Sequence, residues 1–486
     1  MVAKHLLITF SIYNPCLQNY HTMNLLSTLT LVLIMIFAYI SHGQSTYNYK
    51  DYEYPDIKIR GLNLSAQSFG TTSGSTEDRF AIGSNINYFS FLNTDQKQVT
   101  NLITTNINFK NETRQEGSVR LGNDVFNFAA SKRQINRKYI HNNTNSSGYK
   151  GKFFEINHQV DVEFANNQFK PWLNQNIDIF TTGAHLPIAI GIGRVEPTRE
   201  IFTAQFLMDD LIEEGILKER LSENQLFDLA QLMAKVSNQR IFDFRRAYKY
   251  QLSEIAKWFE SQNIPLAIET FTAIADNWAN ALTNQRLEGK RLTMGITPGV
   301  DFTQASYSEK YSAVNYNFDI FLKRESFKNI NQYFNRELTY FVSYFRNVNK
   351  NYFYGNSNGN INNQSINLGM HTTFAYNPNS RTTYAISPSL STHFVDFNSL
   401  EILISAPLSL NYFINHNTRI QFNLQPTLKT GANVSFYSNW NGTFLEQEFN
   451  PNFRSYGQGN NGFTRPLNIK DGYSLTGGLT FIHNFF

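Results

Sequence analysis

Disulfides are absent from this fold: among 486 residues the only cysteine is Cys16. A secreted chain of this size without disulfides must find its stability elsewhere. Charge is scarce too. Asp, Glu, Lys and Arg make up 16% of the chain, against about 25% in ordinary soluble domains. The net charge of +4 is too small to imply nucleic acid as a partner. Beyond residue 40 no run approaches the roughly 18–20 consecutive apolar residues of a membrane helix, and mean hydropathy is −0.38. A helical membrane protein is therefore excluded.

Aromatic side chains are abundant, with 42 Phe and 26 Tyr. Few charges, many aromatics, plentiful Asn and Thr and no membrane helix together imply an all-β transmembrane barrel. The stretch FEINHQVDVEF, residues 154–164, shows the expected pattern. Phe154, Ile156, Val160, Val162 and Phe164 alternate with Glu155, Asn157, Gln159, Asp161 and Glu163, and only His158 interrupts the apolar set. Successive strand side chains point to opposite faces, so one face is greasy and the other wet.

Residues 24–40, NLLSTLTLVLIMIFAYI, precede Ser41-His42-Gly43. An apolar core followed by small residues reads as a secretory signal peptide. Residues 1–43 are thus expected to be an upstream extension ahead of Met23 plus a cleaved leader.

Alternation recurs in GLNLSAQSF, INYFSF, TNLITTNINF, SVRLGNDVFNF, NIDIFTT and HLPIAIGIG before residue 197. Beyond residue 290, Val314 to Leu322, Ile366 to Phe374, Ile402 to Leu410, Ile420 to Leu428 and Tyr473 to Phe485 carry further apolar stripes. Asn315, Asn317 and Asp319, with Gln421, Asn423 and Gln425, supply wet faces suited to a hydrated lumen. The segments are about 9–13 residues long, as a tilted membrane strand requires. Six strands before residue 197 and eight after 290 give about 14, within a range of about 12–16.

Between Pro197 and Arg291 the period changes and 12 Lys/Arg and 14 Asp/Glu crowd together. Ile201, Phe202, Phe206, Leu211 and Ile212 recur at helical spacing, as do Leu226, Leu229, Met233 and Val236, then Phe271, Ile274, Ala275, Trp278 and Leu282. Ser222 and Gln225 form a capping box. Pro265 suits a first helical turn. The organisation is residues 55–196 as N-terminal barrel strands, 197–290 as a helical insert of three or so helices, and 291–486 as C-terminal barrel strands. An even strand count places the insert on the side of both chain ends.

The chain ends FIHNFF. A last amphipathic strand closing on an aromatic resembles Gram-negative outer-membrane β-barrels. That resemblance implies recognition by the barrel-insertion machinery, here through Phe486 and Ile482. IGIGRVEP at 190–197, followed by QRIFDFRR at 239–246, is similar to a group of uncharacterised outer-membrane barrels with a G-x-G-R-x-E-P turn ahead of a helical insert. The likeness implies architecture and no chemistry.

Gly191 and Gly193 permit unusual dihedrals, and Pro197 stops a ladder. Arg194 and Glu196, two residues apart on a strand, are expected to clamp the insert through Arg240, Asp243 or Arg245, since Arg–carboxylate pairs suit that task. Catalysis has little support. His141, His158, His185, His371, His393, His416 and His483 are scattered, and Ser391-Thr392-His393 is the nearest approach to a nucleophile motif. No metal-ligand spacing or phosphate loop is evident, so no cofactor is implied. The functional expectation is an outer-membrane channel or transporter-like protein for small polar solutes with a docking or gating insert. The alternative is a non-conducting scaffold that binds a partner protein or surface polysaccharide. Expected partners are outer-membrane lipid, the insertion machinery and a periplasmic protein met through the insert.

Overall fold

The computed structural model describes residues 6–12 and 47–483, except for 74–76, 117–118, 145–149, 171–175, 238, 240–243, 282–285, 307–309, 354–359, 397–398, 416–417 and 431–471. The chain forms a transmembrane β-barrel with an α-helical insert. Strands β1 (Ile57–Ser73), β2 (Glu77–Thr94), β3 (Lys97–Glu116), β4 (Val119–Thr144) and β5 (Lys150–Lys170) run antiparallel to their neighbours. A sixth strand, β6, is broken into Asn176–His185, Ile188–Ile192 and Val195–Pro197. All three pieces pair with β7 (Leu287–Ser306). Then follow β8 (Lys310–Asn329), β9 (Phe334–Phe353) and β10 (Asn360–Asn379). The strands β11 (Thr382–Ile386 and Ser389–Val395) and β12 (Ser399–Ser405 and Leu408–Asn415) are again split. β13 (Thr418–Thr430) and β14 (Gly472–His483) complete fourteen barrel strands among the described residues.

At the break between Ile192 and Val195, Gly193 takes φ 99°, and the other three breaks share one cause. Pro187, Pro388 and Pro407 stand at them, and proline offers no N–H to a ladder. Their carbonyls still accept: Asn157 donates to Pro187 at 2.8 Å and Thr372 to Pro388 at 3.0 Å. The strands are longer than the alternating stripes suggested; β1 to β5 span 17 to 26 residues. The stretch 131–153, too long for a tight turn, is mostly strand, with irregular register only around Tyr139, His141 and Thr144.

The outward face is the greasy one. Phe154, Ile156 and Val160 of the FEINHQVDVEF stretch are exposed, as are Tyr316, Phe318, Ile320 and Leu322 on β8. An apolar belt facing outward has hydrocarbon as its solvent. The inward row on β8 is Asn315, Asn317 and Asp319, as the alternation requires. In register, Phe481 lies opposite Ile420 and Ile482 opposite Arg419. The side chains of that last strand, Ile482 among them, lie outside the described residues. Phe486 lies outside the described residues.

Six strands precede the insert and eight follow, so the start of β1, the end of β14 and the insert share one mouth, called here the near mouth. The two-residue turn after Thr94 and the turns at 330–333 and 380–381 lie there too. The insert holds four helices: α1 (Arg199–Glu213), α2 (Glu223–Ser237), α3 (Phe244–Ser261) and α4 (Ile268–Ala281). The capping box is real: Ser222 N donates to Gln225 Oε1 at 3.1 Å and Gln225 N to Ser222 Oγ at 3.4 Å. Ile201, Leu211, Leu226, Leu229 and Met233 are buried as their spacing requires, but Phe271 is exposed. The α3 helix shows little of an apolar stripe: among its described side chains Ile255, Ala256 and Phe259 are the buried apolar ones. Leu6–Ile12, within the expected upstream extension, runs antiparallel along β14.

Candidate functional site: a capped barrel mouth

Helix α1 is buried almost all round. Ile201, Ala204 and Leu211 have no exposure, and Glu200, Thr203 and Gln205 on other faces are buried as well. A helix enclosed on every side needs neighbours on every side. They are α2, α4, the inward-facing Phe89, Phe91 and Phe327 of the barrel wall, and Val195 and Leu287 at the roots of the insert. The helices therefore plug the near mouth and share one apolar core with the wall.

A segment ahead of β1 joins that core. Tyr47, Tyr49, Tyr52 and Tyr54 are all buried. Tyr47 donates to the Leu221 carbonyl at 2.9 Å, Tyr49 exchanges hydrogen bonds with Gln205, and Gln231 of α2 donates to the Glu53 carbonyl at 3.1 Å. The 49 and 202 rings meet at 4.9 Å. The sequence signal was present, four tyrosines in eight residues, but its spacing fits neither strand nor helix.

The cap is pinned around the rim. Asp209 accepts from Gln332 in the turn after β8, where Tyr333 also packs on Phe206 with ring centroids 6.2 Å apart. Asp276 of α4 pairs with Arg381 in the turn after β10. Thr198, which opens α1, accepts from Asn329 Nδ2 at 3.1 Å.

Arg194 and Glu196 sit where β6 bends inward. Gly193 adopts φ 99°, which lets the chain leave the wall. Arg194 pairs with Glu196 itself. It also donates to the carbonyls of Thr94 at 2.9 Å and Asp95 at 2.8 Å, and to Asn93 Oδ1 at 3.1 Å. Its guanidinium lies 4.8 Å from the Tyr139 ring. Gln98 ties the same group to the Val195 carbonyl at 3.1 Å, and Tyr139 donates to Gln98 at 2.8 Å. The structure thus brings Arg194 and Glu196 together with the turn after β2. Arg240, Asp243 and the Arg245 side chain, the other half of the expected clamp, lie outside the described residues.

Below the cap the inner wall carries buried ion pairs. Arg291 Nε lies 2.7 Å from Glu325 Oε2, Lys323 Nζ lies 2.6 Å from Glu325 Oε1, and Arg137 pairs with Glu155. Arg286 is different. It is buried over the Phe202 ring at 3.9 Å, and both its terminal nitrogens lack a hydrogen-bond partner. Burial pushes its guanidinium down from the usual arginine range. Burial likewise pushes up the Tyr52 hydroxyl, which also has no partner.

Deeper in the barrel, His185 Nε2 lies 3.0 Å from Asp301 Oδ1, Asn317 donates to Asp301 Oδ2 at 2.5 Å, and Asn347 donates to Asn317 at 2.5 Å. Asp161, Glu163, Thr104, Asn106 and Ser131 line an adjoining hollow. His393 stands 4.0 Å from Glu401, His371 bonds Thr373, and His158 sits on the outward stripe. No cluster of three or more His, Cys, Asp or Glu able to hold a metal occurs among the described residues. The inner wall offers amides, hydroxyls and charges: a hydrated surface beneath a dry cap.

No protein-family model matches the chain, and no curated protein matches it. Among solved structures it is similar to the translocator domain of the autotransporter NalP from Neisseria meningitidis, at 6% identity over 95% of this chain and 98% of that one, TM-score 0.24. It is also similar to outer-membrane expressed OmpT of Vibrio cholerae, at 8% identity over 89% and 99%, TM-score 0.26. These values are too low to carry a functional argument; the barrel rests on its own strand register and apolar belt.

Proposed function

We propose that the protein is an outer-membrane barrel that passes small polar solutes through a hydrated lumen and is closed, in the state described, by its helical cap. The observation that carries this reading is the contrast along the barrel interior. A wall of Asn, Asp, His and Thr lies beneath a mouth sealed by an apolar core. The chain ends share the capped mouth, which on this reading faces the periplasm, where a soluble partner would meet α2 to α4. The β14 strand would be the element read by the insertion machinery.

A second reading has its own support. Burial of α1 on every face suits a fixed plug, and Ile268 and Phe271 remain exposed on α4. A non-conducting scaffold that docks a partner through the insert would look the same at rest.

The test is a reversible lock. Asp209 and Gln332, hydrogen-bonded across the rim, are replaced by cysteines in the cysteine-free mature chain. In planar bilayers the wild type and the reduced variant should show discrete conductance steps, and the oxidised variant should fall silent. Silence in all three, with neutral-solute swelling assays also blank, would favour the scaffold.

A further inference from the structure

Among the described residues, cations outnumber carboxylates on the outward face near the capped mouth, where Asp56 and Asp95 are exposed acids beside the strand ends. Arg60, Lys97, Lys138, Lys152, Lys290 and Lys328 are all exposed. Each lies an even number of positions from an exposed apolar residue of its own strand, such as Leu62 for Arg60 or Phe154 for Lys152, so each faces lipid at the edge of the belt. None has an ion-pair partner among the described residues. The far rim is unlike this. There Asp124 and Asp178 face outward, each held by an asparagine amide, and Lys350 lies 5.6 Å from the Tyr316 ring.

Two of the near-rim contacts are like-charge pairs. Lys97 lies directly opposite Lys138, and Lys328 directly opposite Arg336. Cross-strand neighbours hold their Cβ atoms about 4.5–5.5 Å apart, and like charges so placed repel. Arg336 Nε, moreover, has no hydrogen-bond partner. Such pairs in a low-dielectric border call for an anion between them, and the anion available at the edge of a hydrocarbon belt is a headgroup phosphate.

We infer that the Lys97–Lys138 and Lys328–Arg336 pairs are headgroup subsites for anionic glycerophospholipids, and that the near rim selects an anionic phospholipid leaflet. The occupant is a glycerophospholipid and not lipid A, because the near mouth carries both chain ends and thus, on the orientation proposed above, meets the inner leaflet. The inference rests on the belt facing lipid and not on conduction, so a non-conducting barrel leaves it intact.

The experiment compares wild type with Lys97→Gln/Lys138→Gln and Lys328→Gln/Arg336→Gln. A control carries Lys218→Gln and Lys249→Gln on exposed positions of the cap. Each is reconstituted in phosphatidylcholine vesicles, in the same vesicles with phosphatidylglycerol, and in vesicles with lipid A. The midpoint of heat-induced loss of the compact band on unboiled gels is read. In phosphatidylcholine the rim variants should melt higher than wild type, since repulsion is relieved. With phosphatidylglycerol the order should reverse, and raised salt should erase the difference. Titrated phosphatidylglycerol should bind about fivefold more weakly for each charge removed. The control should follow wild type throughout. No reversal of order, a reversal with lipid A only, or the same response in the control would overturn the inference.

Discussion

Arg194 donates to the carbonyl of Asp95 at 2.8 Å, joining the root of the insert to a turn 99 positions earlier in the chain. The same guanidinium holds the Thr94 carbonyl, the Asn93 amide oxygen and Glu196. A planar fork with five donors can serve all of these at once; an ammonium cannot. Arg194→Lys should therefore behave nearly like Arg194→Ala, each losing about 2–3 kcal/mol from charge-assisted bonds at a buried site. Limited proteolysis of folded protein in detergent measures it, with cleavage inside 214–222 rising in both variants. Wild-type resistance in the lysine variant would mean that charge alone suffices. Charge reversal at Glu196 should be worse, leaving Arg194 beside a second cation, and should lower the yield of heat-resistant barrel.

The bend at the junction also depends on two glycines. Gly193 and Gly289 have φ of 99° and 126°, and a Cβ on Gly289 would stand 2.2 Å from the Arg194 carbonyl oxygen. Backbone cannot give way as a flexible side chain can, and the dihedral itself disfavours L residues. Gly289→Ala should thus cost more than Gly295→Ala, because Gly289 adds a positive φ to its close backbone contact. Urea titration of the refolded protein, followed by tryptophan fluorescence, compares them. Gly295 also meets backbone, the Ile188 carbonyl at 2.5 Å, so a loss is expected at both positions, and the dihedral makes the one at Gly289 larger.

Much of this architecture was legible beforehand, and particular residues show why. Phe154, Ile156 and Val160 had to share a face because strand geometry has a period of two, and a face that greasy needs either core or lipid. The break in period at Pro197 exposed the insert. Leu226, Leu229 and Met233 were readable as a buried helical stripe for the same kind of reason. What stayed hidden depends on long-range contact. Nothing local in Tyr47 or Tyr49 says that they dock on α1 more than 150 residues later. Arg194 and Glu196 were legible as a pair, but their partners Thr94 and Asp95 contribute carbonyls, which have no sequence signature. Phe271 fitted a stripe and is exposed, because α4 lies at the outer surface of the cap and buries a narrower face than its periodicity allows.

The barrel seam yields a third expectation. Leu6–Ile12 occupies the edge of β14, with Leu6 opposite Phe481. If the leader is cleaved, that edge is left with unpaired N–H and C=O groups, and hydrocarbon supplies no partners for them. Among the described residues the register of β1 is with β2, and its other edge must then close on β14. Cysteine pairs introduced between Leu62 or Leu64 and the 475–481 stretch should form a disulfide on mild oxidation of protein extracted from envelopes. Cys16 is upstream, so any bond formed in the mature chain is unambiguous. Crosslinking to 475–481 from no position of β1, in protein shown to lack residues 1–43, would mean that the seam closes otherwise.

The buried arginines separate two kinds of charge. Arg291 is 1% exposed and answers Glu325, itself 1% exposed, at 2.7 Å. Removing Arg291 leaves Glu325 with Lys323 alone, and its second oxygen loses its answer in a medium that solvates charge poorly. Arg291→Met should lower unfolding free energy by about 3–5 kcal/mol, and Arg291→Met with Glu325→Leu should recover most of that loss. Arg286 has no such carboxylate among the described residues; its terminal nitrogens lack a hydrogen-bond partner and the Phe202 ring lies 3.9 Å from its guanidinium. Arg286→Met keeps the stem packed on that ring and removes an unsatisfied charge, so it should leave the midpoint unchanged or raise it. The cap adds a sign check through pH. A guanidinium whose folded pKa is depressed is destabilised while charged, so whatever penalty Arg286 imposes is present at neutral pH and relaxes only as pH rises through the lowered value. The gain from Arg286→Met should accordingly be largest near neutrality and shrink in alkaline buffer, whereas the loss from Arg291→Met should persist across the same range. A large loss on removing Arg286 at neutral pH would show instead that its charge is answered when the protein sits in its membrane.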